Sequence, residues 1–213
     1  MTTPKPIFFD LDGTLTNPES GIVRCIEYAL DRLAVPYSSD DDFRRFIGPP
    51  LRASFANLVG EELADEAVRL YRVRFDDCGW RENDPYPGIS TQLQALRDRG
   101  HTLFVATSKP QVFADRIIDH FELRPYFDAV YGSELDGTRS GKVDLLRHAL
   151  AETQSPPGAT MVGDRRHDVE GARANGLRAV GVTYGFGSAQ ELTEAGAELL
   201  INSPQAVAEA LLG

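Results

Sequence analysis

Short apolar runs that each give way to an amphipathic stretch constrain this chain more than any other feature. Residues 7–9, 102–106, 129–131, 160–162 and 179–182 read as strands. Residues 89–99, 110–120, 142–152 and 167–174 carry helical periodicity, and 204–212 reads as a closing helix. Strand–helix alternation of this kind demands right-handed crossovers and a mostly parallel sheet with helices on both faces. The expected fold is therefore α/β, with a Rossmann-like parallel sheet as its core.

One long stretch departs from the pattern. Between Thr16 and Pro87 no strand is evident, only helical periodicity. Asn17-Pro18 is a helix start, an N-cap residue followed by proline in the first turn. Ile22, Ile26, Ala29, Leu30 and Leu33 then form one apolar stripe. A longer helix is expected over 61–79, with Leu63, Ala67, Leu70, Tyr71 and Cys78 on its buried face. Gly48-Pro49-Pro50 interrupts the helical pieces between them, and 83–88 reads as a stiff return linker. Residues 16–87 thus read as an all-helical cap inserted after the first strand, with 1–15 and 88–213 forming the catalytic core.

The first strand runs straight into Asp10-Leu11-Asp12-Gly13-Thr14. At a strand's frayed end, residues two apart face the same space, so Asp10 and Asp12 converge while Leu11 turns to the core. Gly13 permits a tight turn and a close backbone approach. Two adjacent carboxylates repel unless a cation or a shared proton offsets them. Taken alone the stretch reads either as a surface turn or as a metal site. A helix–loop–helix calcium loop is excluded, because Thr14 and Gly21 stand where that loop needs an oxygen ligand and a glutamate.

The ends of the other strands favour a site, since ligands of open parallel sheets bind beyond the carboxyl ends of the strands. Thr107, Ser108 and Lys109 follow one strand, and Gly163-Asp164-Arg165-Arg166-His167-Asp168 another. A loop after Tyr131 leads to Ser140-Gly141-Lys142. Asp10, Asp164 and the Asp12 backbone carbonyl suit Mg²⁺, with Asp168 one helical turn on, orienting a neighbour or a water. Thr107 offers a hydroxyl, the Ser108 amide an anion seat where the next helix begins, and Lys142 a mobile positive charge. Each also has a plainer reading: Thr107 and Ser108 as helix caps, Asp164 as a turn residue, Asp168 as an N-terminal acid. The chain has only three lysines against nineteen arginines, so lysines beside two of these loops favour a role for Lys142. Arg165, Arg166 and His167 read as surface groups.

Composition narrows the partners. A net charge of −10 argues against a nucleic acid polymer, whose binding depends on Lys and Arg displacing counterions. No apolar run approaches the length of a membrane span and no basic-then-apolar leader begins the chain, so a cytoplasmic protein without a membrane partner is expected. Cys25 and Cys78 lack the spacing of a metal clip or redox pair and read as buried thiols.

Together these residues resemble the motifs of the haloacid dehalogenase superfamily. Asp10-Leu11-Asp12-Gly13-Thr14-Leu15 is similar to its first motif, Thr107 to its second, Lys142 to its third, and Gly163-Asp164 through Asp168 to its fourth. The helical insert resembles the cap of the phosphoglycolate phosphatase-like branch. Residues 46–51 and Tyr184-Gly185-Phe186-Gly187 strengthen the likeness to its 5′-nucleotidase-like subgroup. The resemblance implies an aspartyl-phosphate intermediate on Asp10, proton transfer by Asp12, and Mg²⁺ on Asp10, the Asp12 carbonyl and Asp164. It implies phosphoryl binding by Thr107, Ser108 and Lys142. Substrate choice would lie in the cap near Gly48 and Arg52, with Arg52 facing a second anionic group.

Within the superfamily, Asp12 argues against dehalogenation, and a cap without lysine excludes the phosphonatase branch. The substrate is expected to be a small phosphorylated metabolite, a 5′-nucleotide ahead of phosphoglycolate, with the protein a monomer or homodimer. A sugar phosphomutase is a less favoured alternative. A phospho-aspartate receiver or a silent binding module is remote, since receivers lack a cap.

Overall fold

The computed structural model describes residues 5–38, 40–156 and 158–213, so parts of both expected domains at 1–4, 39 and 157 lie outside the described residues. In chain order the elements begin with β1 (Ile7–Phe9), β2 (Thr16–Asn17), α1 (Glu19–Arg32), α2 (Leu51–Val59) and α3 (Glu61–Asp77). Next come β3 (Asp84–Pro85), α4 (Ile89–Asp98), β4 (Leu103–Pro110), α5 (Gln111–His120), β5 (Ala129–Ser133) and α6 (Lys142–Thr153). The chain closes with β6 (Thr160–Gly163), α7 (Arg166–Ala174), β7 (Arg178–Val182), α8 (Ala189–Ala195), β8 (Leu199–Ile201) and α9 (Val207–Leu212).

Among the described residues the main sheet has the order β5-β4-β1-β6-β7-β8, with every pairing parallel. Side chains alternate across it, which splits the core into two layers. Ile7 and Phe9 face one layer with Val105, Val162 and Val180, covered by helices that include α4 and α5. Phe8 faces the other, its ring 5.0 Å from Phe104, and packs with Leu145 and Leu146 of α6 and Val169 of α7. β1 lies between β4 and β6, and the chain builds outward on one side before crossing to the other. That crossing opens a crevice at the carboxyl end of β1.

The helical segment between β2 and β3 differs from the sequence reading in two respects. Its two ends pair as a short antiparallel ribbon, Thr16 with Pro85 and Asn17 with Asp84, so residues 16–87 are not entirely without strand. Two residues are too few to announce themselves; the pairing exists because both crossings of the chain meet there. The buried face of α3 is Ala64, Ala67, Val68, Tyr71 and Phe75, whereas Leu63 is exposed. Of the expected stripe Ala67 and Tyr71 are buried, Leu70 and Cys78 are only half-buried, and Ala64, Val68 and Phe75 complete the face instead. Pro18, expected in the first turn, is instead the N-cap residue of α1, and the Asn17 side chain before it accepts from the Glu19 N–H at 3.0 Å.

An aromatic ladder ties this segment to the core. Phe55 of α2 meets Tyr71 of α3 edge-on, Tyr71 stacks on Phe75 at 5.5 Å, and Phe75 meets Phe113 of α5 edge-on at 5.0 Å. Polar bridges flank it: Arg72 donates to the Leu135 carbonyl at 2.8 Å, and Arg116 pairs with Asp76. No helix of the described residues is long and apolar enough to cross a membrane.

Candidate active site

The Asp10 N–H donates to the Val162 carbonyl at 2.9 Å, so β1 stays anchored to β6 until its carboxylate emerges. Leu11 is fully buried, and its carbonyl accepts from Leu15 and Thr16, closing a tight turn. Gly13 is required at that turn. Its φ is +82°, and a Cβ there would lie 2.1 Å from Asp164 Oδ2. The 184–187 loop packs equally close: a Cβ on Gly185 would stand 2.3 Å from the Gly13 carbonyl. From that loop the Phe186 N–H donates to Asp164 Oδ2 at 2.8 Å, and the Tyr184 hydroxyl donates to the Thr14 carbonyl.

Asp10, Asp164 and Asp168 each bring one carboxylate oxygen to within 4.8 Å of the others, all three buried. Asp164 Oδ1 has no hydrogen-bond partner among the described residues. Burial drives the Asp164 carboxyl well above the usual range, reinforced by Asp168 and Asp10. Asp168 also rises through burial, although Lys142 beside it pulls the other way. An all-oxygen donor set holding an orphaned buried oxygen fits a hard divalent cation, which would relieve this repulsion. Asp168 is less free than the other two. Its Oδ2 accepts from the Arg165 N–H at 3.1 Å, and its Oδ1 lies 2.7 Å from Lys142 Nζ.

Lys142 opens α6 and was expected as a mobile charge; it is instead immobilised. Its ammonium, 4% exposed at the side chain, lies 3.0 Å from Asp10 Oδ1 and donates to the Ala106 carbonyl at 2.9 Å. Burial opposes its charge, but Asp10 and Asp168 hold it protonated, above the usual lysine value.

Thr107 is buried, and its Oγ1 accepts from the Lys109 N–H at 3.2 Å. β4 runs on to Pro110 with an irregular register after Ala106, and α5 begins only at Gln111. Neither Thr107 nor Ser108 therefore caps a helix, and the Ser108 amide does not stand at a helix N-terminus. The Ser108 carbonyl accepts from the Ser133 hydroxyl at 2.8 Å, which fixes this segment against β5.

Asp12 leaves the three-carboxylate cluster. Its Oδ2 lies 2.7 Å from Lys109 Nζ, with both side chains largely buried. Burial pushes the Asp12 carboxyl up and Lys109 pulls it down; burial prevails. In the sequence Lys109 stands as one of three lysines, following a strand, with no role expected of it. The two loops that bring it to Asp12 are nearly a hundred residues apart, and no local pattern joins them.

A cavity of about 440 Å³ opens over Asp10 and Asp12. Its sheet side carries Thr107, Ser108 and Lys109; its helical side carries Phe46, Gly48, Pro49, Pro50, Tyr71 and Phe75. Arg52 reaches the rim but is half exposed and shared between Asp65, at 2.8 Å, and Glu61, at 3.0 Å. Arg165 is not the free surface charge expected of it. It pairs with Glu191 at 2.9 Å and donates to the Ile47 carbonyl at 2.5 Å, joining the core to the helical segment beside Gly48. Arg166 is exposed, as expected, and His167 is half-buried. Cys25 is buried and Cys78 only partly so.

Comparison with known proteins agrees with this architecture. Residues 7–182 match the family model described as haloacid dehalogenase-like hydrolase, and the chain belongs to that family. It is one of the family's phosphatases. A 5′-nucleotidase of Pseudomonas aeruginosa is 50% identical over 189 residues, covering 87% of this chain and 86% of that one. The tyrosine-protein kinase PtkA of Mycobacterium tuberculosis is 40% identical over 188 residues, 88% of this chain but 65% of PtkA. The crystal structure of a predicted phosphatase from Clostridium acetobutylicum superposes with a TM-score of 0.94 at 42% identity, covering 99% of both chains.

Proposed function

We propose that the protein hydrolyses small phosphate monoesters through an aspartyl-phosphate on Asp10, with nucleoside 5′-monophosphates as preferred substrates. The observation that carries this reading is the cavity. It sets a buried acid and lysine cluster against a wall of aromatic rings and prolines. Such a wall suits a flat base better than the two-carbon acid of phosphoglycolate, and the cavity's 440 Å³ leaves room for a nucleoside. The likeness to the Pseudomonas aeruginosa 5′-nucleotidase supports the same choice. Arg52 and Arg72 at the cavity favour phosphoglycolate as the second reading, since both could meet a carboxylate.

In this reading residues 16–87 act as a cap and the rest as the catalytic core. Mg²⁺ would be held by Asp10, the Asp12 carbonyl and Asp164, with Asp168 in support, and would supply charge neutralisation at the phosphoryl oxygens. An Asp10 oxygen bonds to phosphorus as the ester P–O bond breaks. Asp12 gives its proton to the leaving oxygen, then takes one from the water that attacks phosphorus and frees Asp10. Thr107, Ser108 and Lys142 hold the transferring group, Lys142 already fixed beside Asp10.

The test is a panel of phosphate esters assayed with Mg²⁺. Phosphate release with the highest kcat/KM on nucleoside 5′-monophosphates is expected. A preference for phosphoglycolate would favour the second reading, and no release from any ester would refute both.

A further inference from the structure

Lys109 is a buried cation to which the chemistry above assigns no task. Its side chain is 6% exposed, so it is not a solvated surface charge. Two contacts hold it. Its ammonium lies 2.7 Å from Asp12 Oδ2, and it sits 4.6 Å from the centre of the Phe75 ring. Phe75 belongs to α3 of the helical segment and is itself wedged between Tyr71 and Phe113. Lys109 thus spans the seam between the two parts of the molecule, touching the acid on one side and the cap ring on the other.

The two oxygens of Asp12 are unlike. Oδ2 faces Lys109, while Oδ1 is buried with no hydrogen-bond partner among the described residues. An ammonium offers three N–H donors and no acceptor, so the oxygen it holds can only accept. Any proton carried by Asp12 must then sit on Oδ1. A cation over an aromatic face is attracted by the ring, more strongly where water is excluded, so Phe75 in turn fixes the ammonium.

We propose that Lys109 is the positioning residue for Asp12: it clamps Oδ2, turns Oδ1 to the leaving oxygen, and does so while Phe75 lies against its ammonium. Docking of the helical segment and readiness of the acid become one event. The inference rests on the phosphatase reading. In the step concerned, the Asp10–phosphorus bond forms, the ester P–O bond breaks with its electron pair leaving on oxygen, and that oxygen takes the proton from Asp12 Oδ1.

The leaving group separates this role from a merely structural one. An alkoxide needs the proton, whereas p-nitrophenolate departs without it. The ratio kcat/KM reports only the steps up to departure of the leaving group. Lys109→Met should lower kcat/KM about 100-fold for a nucleoside 5′-monophosphate but about 10-fold or less for p-nitrophenyl phosphate. Lys109→Arg, which keeps the charge, should recover most of that selectivity. Phe75→Leu, which removes the ring, should shift the two esters apart in the same direction by a smaller factor, and it carries the test if Lys109→Met fails to fold. Equal losses on both esters, or a change in KM alone, would overturn the proposal while leaving the phosphatase reading intact. A wild type that hydrolyses neither ester would sink that reading and this inference with it.

Discussion

Around Asp10, on the sheet side, the ionic groups are buried and held by close backbone contacts, whereas Arg52 on the helical side of the cavity is half exposed and pairs with acids of its own segment. Asp10 is tied to β6 through its own N–H, Asp164 is placed by the fit of Gly13 against it, and Lys142 donates to the Ala106 carbonyl. Arg52 by contrast is half exposed and shared between Asp65 and Glu61 on the same segment. A wall built by register and close backbone contact holds its groups in one arrangement. A wall built by side chains on helix surfaces can change what it accepts without disturbing the chemistry beneath it. The comparison teaches where to look for each property: reactivity at strand ends, selectivity in rings and long side chains across the gap.

The contrast can be broken most sharply at Asp10. Asp10→Asn should reduce kcat by a factor on the order of 10⁴ or more while leaving the circular dichroism spectrum unchanged. Retained turnover would show that the sheet side does not carry the reaction. Next in size is Lys142→Met, which leaves Asp10 and Asp168 as buried, uncompensated carboxylates. It should cost about 3–5 kcal/mol of stability in denaturant unfolding without divalent cations. A smaller loss would mean that the cluster is less fixed than its contacts imply.

Charged groups of the helical segment should respond far less. Glu82 is the firmest of them, bonded by Arg74 at 2.6 Å and by Arg24 at 2.8 Å. Its carboxyl is lowered first by the Arg74 hydrogen bond and then by Arg24, against some burial. A depressed acid stabilises the fold above its unfolded pKa, and the gain vanishes as pH falls through the folded value. Glu82→Gln should therefore destabilise by roughly 0.5–1 kcal/mol at neutral pH, partial exposure keeping the figure small, and by progressively less below about pH 4. Unfolding curves at several pH values check this. Smallest of all, Arg52→Ala should leave the unfolding midpoint and kcat unchanged and alter KM by no more than a few-fold. A large rise in KM would make Arg52 a principal substrate contact despite its two acidic neighbours.

How much of this was legible in the sequence follows from how far apart the interacting residues lie. β1 was readable to the residue, because an apolar run ends abruptly at Asp10. The end of β6 before Asp164 was readable too, since a local apolar run meets a polar stop. β4, by contrast, runs past its expected end to Pro110 with Thr107 inside it, and Lys142 opens α6 rather than ending a strand. β8 was missed because Leu199–Ile201 is three residues long and lies at a sheet edge. α8 was missed because seven residues carry too little periodicity, although its Ser188 cap, accepting from the Glu191 N–H, was a usable signal. The pairing of β2 with β3, the reach of Lys109 to Asp12 and the link from Arg165 to Ile47 depend on chain crossings that no local pattern encodes.

The claim on which the account turns is that Asp10 itself takes the phosphoryl group. Quenching the enzyme during turnover of a nucleoside 5′-monophosphate with borohydride, which reduces an acyl phosphate to an alcohol, tests it directly by peptide mass spectrometry. The account predicts homoserine at position 10 and aspartate unchanged at positions 12, 164 and 168. Reduction at one of those other positions, or none at all while phosphate accumulates, would contradict it.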